Sequence, residues 1–137
     1  MTEFVLDERL KSDTHLIASL DTCELLLMDD ARWLWLILVP RIAQAVEWHE
    51  LFTDQRQDID MEIANVASAL KGLTSCEKVN IASLGNAVRQ LHIHVIARST
   101  GDDNWTGPVW GHGERKPYSP EGSEMIIQSV RKPLGLD

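Results

Sequence analysis

Two short apolar runs, four residues apart, do most to limit what this chain can fold into. Cys23–Met28 holds Leu25, Leu26 and Leu27 in a row, and residues 33–39 are apolar throughout until Pro40 stops them. Runs of six or seven mostly apolar residues are too short for an ordinary buried helix and read as buried strands. Asp29, Asp30, Ala31 and Arg32 between them supply a polar turn, so the pair predicts a β-hairpin.

The rest of the chain arranges itself around that hairpin. A helical turn is expected over residues 7–10 and a short strand over residues 14–20. Residues 42–51 carry a mixed signal that fits a loop or a short helical turn. Asp54 and Gln57 then resemble an N-terminal capping pair. Ile59, Ile63, Val66 and Leu70 follow at four- and three-residue steps up to Gly72, the pattern of an amphipathic helix that would lie across one sheet face. Two β-like segments, residues 78–84 and 91–98, are joined through Gly85 and Asn86. Residues 99–120 are rich in Gly, Asp, Pro and Trp and read as a long ordered loop. Ser119 followed by Pro120 predicts a helix start, and Pro133 a helix stop. Strands joined by tight turns, with helices apart from them in sequence, imply an α+β fold with a mostly antiparallel sheet.

With 137 residues, 44% of them hydrophobic, the chain can bury one core, and residues 1–137 are expected to form a single domain. No apolar run approaches the roughly 18 residues of a membrane span, and residues 1–10 lack the basic-then-apolar pattern of a signal peptide, so no membrane partner and a cytoplasmic location are expected. Cys23 and Cys76 stand alone, as buried thiols rather than zinc or disulfide residues. A net charge of −8 argues against a surface for nucleic acid polymers. One local pocket can still hold a phosphate.

The chemistry gathers at residues 90–95, Gln-Leu-His-Ile-His-Val. Alternation along a strand would put Leu91, Ile93 and Val95 under the long helix and Gln90, His92 and His94 on the other face. Solvent-facing strand positions more often take Thr, Lys or Glu, so paired imidazoles mark a candidate site. Two readings compete. His-x-His can begin a metal site, given further ligands such as His112, Asp102 or Asp103. Alternatively, one neutral imidazole can attack phosphorus while its neighbour hydrogen-bonds the phosphoryl oxygens.

Residues 80–98, NIASLGNAVRQLHIHVIAR, resemble the signature of the histidine-triad (HIT) superfamily, in which three histidines alternate with apolar residues at the end of the last core strand. The continuation DDNWTGPVWG, residues 102–111, is similar to a bacterial subgroup of diadenosine-tetraphosphate-hydrolase type. The resemblance implies an antiparallel sheet of about five strands with one long helix packed on it and a C-terminal helix, in a homodimer. It implies no metal and no cofactor. The substrate would be a nucleotide: a dinucleoside polyphosphate or nucleoside phosphoramidate, cleaved through a covalent nucleotidyl-histidine intermediate.

By the same resemblance His92 is the nucleophile and His94 helps hold the phosphate. Asn86 and Asn80 match polar positions near the phosphate, and Asp29, with Asp30 as an equal candidate, matches the residue that grips the ribose. Gln90 stands at the first histidine position. Trp33, Leu34 and Trp35 replace the usual Pro-Gly-His element. Gln90 keeps open the alternative of a nucleotide-binding protein with weak turnover. Arg98 reads as a solvated strand end, and Trp33 and Trp35 as a pair that can face a subunit partner. Trp105 and Trp110 suit loop anchors or base-stacking platforms.

Overall fold

The computed structural model describes residues 3–137. Its elements in chain order are α1 (Glu8–Asp13), β1 (Thr14–Ser19), β2 (Cys23–Met28), β3 (Trp35–Pro40), a 3-10 turn (Trp48–Glu50), α2 (Thr53–Thr74), β4 (Lys78–Ala82), β5 (Ile93–Arg98) and α3 (Pro120–Arg131). The five strands form one antiparallel sheet in the order β1-β2-β3-β5-β4. This is the α+β architecture that the apolar runs and the helical stripe imply.

β3 occupies the centre of the sheet, and all six of its residues are buried. Its unbroken apolar run is the mark of a strand covered on both faces. On one face Leu36 and Leu38 join Leu25, Leu27, Ile93 and Val95 beneath Ile59, Val66 and Leu70 of α2. On the other, Trp35, Ile37 and Val39 pack with Leu26, Ile96, Leu10 of α1 and Val109 of the long loop. The face opposite the long helix is therefore a second core, not a solvated surface.

Several boundaries shift for local reasons. α2 begins at Thr53, and Gln55 rather than Gln57 reaches back, its Oε1 accepting from the Phe52 N–H at 2.9 Å. The three-residue reach is that of a capping box, while Asp54 sits inside the first turn. Gly72 lies within the helix, which runs two residues further to Thr74 and is capped by Ser75, in the left-handed region at φ 54°. β3 starts at Trp35, because Trp33 belongs to the turn and donates its indole N–H to the Asp103 carbonyl at 3.0 Å. α3 starts where Ser119 and Pro120 place it, with Ser119 Oγ accepting from the Gly122 N–H at 3.0 Å.

The loop after β5 is held by Arg98, which is buried and not a solvated strand end. Arg98 is 2% exposed. Its Nε and Nη2 bond both carboxylate oxygens of Asp102 at 2.7 and 2.8 Å, and its Nη1 donates to the Gly107 carbonyl at 2.8 Å. A buried guanidinium needs all its donors matched, and the loop folds back to match them. Asp30 and Arg32 make a second buried pair at 2.8 Å, and Arg32 also stacks on Trp33 and bonds the His112 carbonyl.

Candidate active site

His94 leaves β3 and β5 no freedom in how they meet. Ile37 pairs with His94 across the ladder, and Trp35, two residues earlier on the same face, donates its indole N–H to His94 Nδ1 at 3.0 Å. The other ring nitrogen, Nε2, bonds the Leu84 carbonyl at 3.0 Å. An indole N–H can only donate and a carbonyl can only accept, so His94 is neutral, with its proton on Nε2. Burial pushes its pKa down to about 4. Neither ring nitrogen is left for a phosphate oxygen, the contact expected of this residue. The ring instead stands 4.9 Å from that of His92, at 70°, and fixes where His92 lies.

His92 is 5% exposed and differently wired. Nδ1 lies 2.6 Å from the Gln90 carbonyl and must donate to it. That leaves the lone pair on Nε2, which has no hydrogen-bond partner among the described residues. Gly85 lies against the ring: a Cβ there would come within 2.9 Å of His92 Cε1. Only a residue without a side chain lets the loop after β4 approach so closely.

The imidazole borders two cavities. One, of about 340 Å³, has an aromatic and aliphatic wall of Trp35, Trp110, Met28 and Ile37, with Arg9 and Leu10 of α1 at its side. The other, of about 520 Å³, lies between the 3-10 turn and residues 85–92. Gly85, Asn86 and His92 belong to both.

The remaining expected residues divide. Asn86 is exposed and borders both cavities. Gln90 borders the larger, but its amide is turned to the N-terminal segment: Oε1 accepts from the Asp7 N–H and Nε2 donates to the Val5 carbonyl, both at 2.9 Å. Asn80 pairs with Ile96, further along the sheet, and lines neither cavity. Asp29 lies at the hairpin turn, where its Oδ1 accepts from the Tyr118 N–H at 2.9 Å and meets His15 Nε2 at 3.0 Å. Those bonds outweigh burial and hold its pKa below the usual value. Asp30 is tied to Arg32 at 2.8 Å.

Trp33 and Trp35, 4% and 6% exposed, are buried within the chain rather than presented to a partner. Trp110 packs edge-on to His94 at 5.1 Å and to Trp35 at 6.2 Å, and its buried indole N–H has no acceptor among the described residues. Trp105 stays partly exposed beside Arg98. Trp35, Leu84, Gly85 and Arg9 were missed as site residues; only Gly85, between two β-like segments, carried a local signal. The further ligands of a metal site are elsewhere: Asp102 is bound to Arg98, and no group of three His, Cys, Asp or Glu gathers among the described residues. No helix among them is long and apolar enough to cross a membrane.

This architecture has close counterparts. A histidine triad protein of Sinorhizobium meliloti is 46% identical, with 95% of this chain and 96% of that one covered and a TM-score of 0.93. A histidine triad protein of Bradyrhizobium japonicum is 42% identical over 96% and 98%, with a TM-score of 0.93. One from Marinobacter aquaeolei is 39% identical over 98% of both chains, with a TM-score of 0.95. No curated protein matches the chain. Residues 9–101 match the HIT domain, and with His94 on the last core strand of the same fold and His92 just ahead of it, the chain belongs to the HIT family.

Proposed function

We propose that the protein is a nucleotide phosphate hydrolase or nucleotidyl transferase that works through a covalent nucleotidyl-histidine intermediate on His92. The observation that carries this reading is the polarity of one ring. Nδ1 is committed to the Gln90 carbonyl, and the lone pair is left on Nε2, in an imidazole that borders two cavities. Membership of a family whose proteins bind nucleotides supports the same reading.

The base would lie in the cavity walled by Trp35, Trp110, Met28 and Ile37, with the phosphate beside His92 and the Asn86 amide. Nε2 gives its electron pair to the α-phosphorus. The bond from phosphorus to the leaving group breaks, and the leaving group takes that pair, an amine leaving group also taking a proton from solvent. The ring becomes cationic, and its Nδ1–H bond to the Gln90 carbonyl strengthens as a charge-assisted bond. Water then attacks the same phosphorus, the N–P pair returns to Nε2, and a nucleoside monophosphate leaves. His94 acts as a positioning residue. The substrate class is a dinucleoside polyphosphate or a nucleoside phosphoramidate, in keeping with the diadenosine-tetraphosphate-type subgroup that residues 102–111 resemble.

The test is to mix the protein with labelled diadenosine tetraphosphate or adenosine phosphoramidate, quench, and digest. A nucleotidylated peptide containing His92 is expected, and His92→Ala should lose on the order of a thousandfold or more in kcat/KM. Near wild-type turnover in His92→Ala would remove the assignment. A second reading, a nucleotide-binding protein with weak turnover, draws on Gln90, whose amide is engaged by Val5 and Asp7 and brings no charge to a phosphate. It predicts nucleotide binding without a trapped peptide. The same proposal takes residues 1–137 to act as one cytoplasmic domain in a homodimer. A monomer in light scattering would remove the dimer and leave the site unaffected.

A further inference from the structure

The arginines of this acidic chain sort into two groups. The side chains of Arg32, Arg41, Arg56, Arg98, Arg115 and Arg131 each bond a carboxylate or a backbone carbonyl. Arg9 and Arg89 have no such partner among the described residues, and each lines one of the two cavities that meet at His92. In a chain with 21 acidic residues against 13 basic ones, unpaired guanidinium groups on both sides of a nucleophile point to an anion that extends across it.

The two cavities differ in what they can hold. Beside Arg9 the wall is Trp35, Trp110, Met28 and Ile37, flat and apolar, and suited to a heterocyclic base. Beside Arg89 it is Asn86, Glu47, Trp48 and His49, none of whose side chains has an intramolecular hydrogen bond among the described residues. The wall is nonetheless fixed in place. The Leu91 N–H bonds the Ala45 carbonyl at 2.9 Å, which ties the segment before the 3-10 turn to the segment carrying Arg89. Displacement at phosphorus sends the retained nucleoside and the departing group in different directions from one atom. Two compartments sharing Gly85, Asn86 and His92 provide for that divergence.

We infer that the cavity lined by Arg89 and Asn86 is the leaving-group subsite, that it takes a phosphate-bearing leaving group such as a nucleoside oligophosphate, and that Arg89 is its specificity-determining residue. The inference rests on His92 being the nucleophile. As the phosphorus–oxygen bond breaks, the departing oxygen takes the electron pair, and the Arg89 guanidinium stabilises the added negative charge. Glu47 in the same cavity opposes the anion, so its removal should act in the opposite sense to removal of Arg89.

The experiment uses the full chain and two substrates that differ in the departing group: diadenosine tetraphosphate, which releases an anion, and adenosine 5′-phosphoramidate, which releases ammonia. Arg89→Gln should lower kcat/KM for the first by about tenfold or more and for the second by less than about twofold. Glu47→Gln should raise it for the first. Equal effects on both substrates, or no effect on either, would overturn the subsite while leaving His92 as nucleophile. A direct arm does not depend on turnover: pyrophosphate alone should shift the His49 imidazole resonances, and Arg89→Gln should weaken that binding about fivefold or more. If the wild type turns over neither substrate, the nucleophile reading fails. Pyrophosphate binding that ignores Arg89 or leaves His49 unmoved would overturn the subsite on its own.

Discussion

Lowering the pH from about 7 to about 5 should cost the fold about 2 kcal/mol through His94 alone. In the folded chain a second proton would have to enter on Nδ1, which faces the Trp35 N–H at 3.0 Å, so donor would meet donor in a site that is 3% exposed. Burial is the largest cause of the lowered pKa, about 4 against the ordinary 6.5, and a charged His92 beside the ring would add to it. Because the folded state resists a proton that the unfolded chain accepts near 6.5, the contribution is fully present above that value. It is lost progressively as the pH falls toward 4. The whole shift amounts to about 3 kcal/mol, a large part of the roughly 5–15 kcal/mol that holds a domain together. The lowered pKa values of Asp29, Asp30 and Asp102 place the losses from those carboxylates mostly below this window. Urea unfolding followed by tryptophan fluorescence at several pH values would measure the effect. His94→Gln keeps one donor and one acceptor in the ring's place but does not titrate there, so its stability should hold nearly level. A wild-type stability that is flat over this range, or a His94→Gln profile parallel to wild type, would refute the reasoning.

Gln90→Ala should cost about 1–2 kcal/mol and speed amide exchange at Asp7, since the side chain's two bonds to Val5 and Asp7 are lost; unchanged exchange would remove the clamp. Gln90→His should change kcat/KM by less than about tenfold, because the Nδ1 acceptor of His92 is the backbone carbonyl of residue 90, which the substitution keeps. Arg98→Met should destabilise by about 3–5 kcal/mol and open residues 102–107 to proteolysis, as it leaves Asp102 and the Gly107 carbonyl unmatched in a buried site. Wild-type resistance to protease in that variant would show that other contacts hold the loop.

The strands and the long helix were legible because their signals are local. Cys23–Met28 and the stripe from Ile59 to Leu70 declare themselves within a few residues, and His92 and His94 stand out by type and spacing. What escaped depends on partners far along the chain. Nothing near Trp35 says that it will meet a histidine 59 residues later, because that follows from β3 pairing with β5 in one register. Arg98 has the look of a solvated strand end until Asp102 and Gly107 turn back over it. Gln90 shows the same limit: its amide finds the backbone of residues 5 and 7, a pairing no local pattern encodes. Asp29 is a case of another kind, since a turn aspartate offers the same local signal whatever it bonds, and the Tyr118 N–H that its Oδ1 accepts lies 89 residues on.

The bond pair between Gln90 and Val5 and Asp7 has a consequence for how the protein is made. The segment ahead of β1 is anchored by a side chain synthesised more than 80 residues later, and Trp110, against His94, comes later still. The growing chain can build the β1–β2–β3 meander early, but the surroundings of His92 are not complete until both ends of this span have emerged. A break between α2 and β4 would leave Arg9, Leu10 and Trp35 on one fragment and His92, His94 and Trp110 on the other, so that neither half would hold the candidate site alone and reassociation of the two would itself rebuild it.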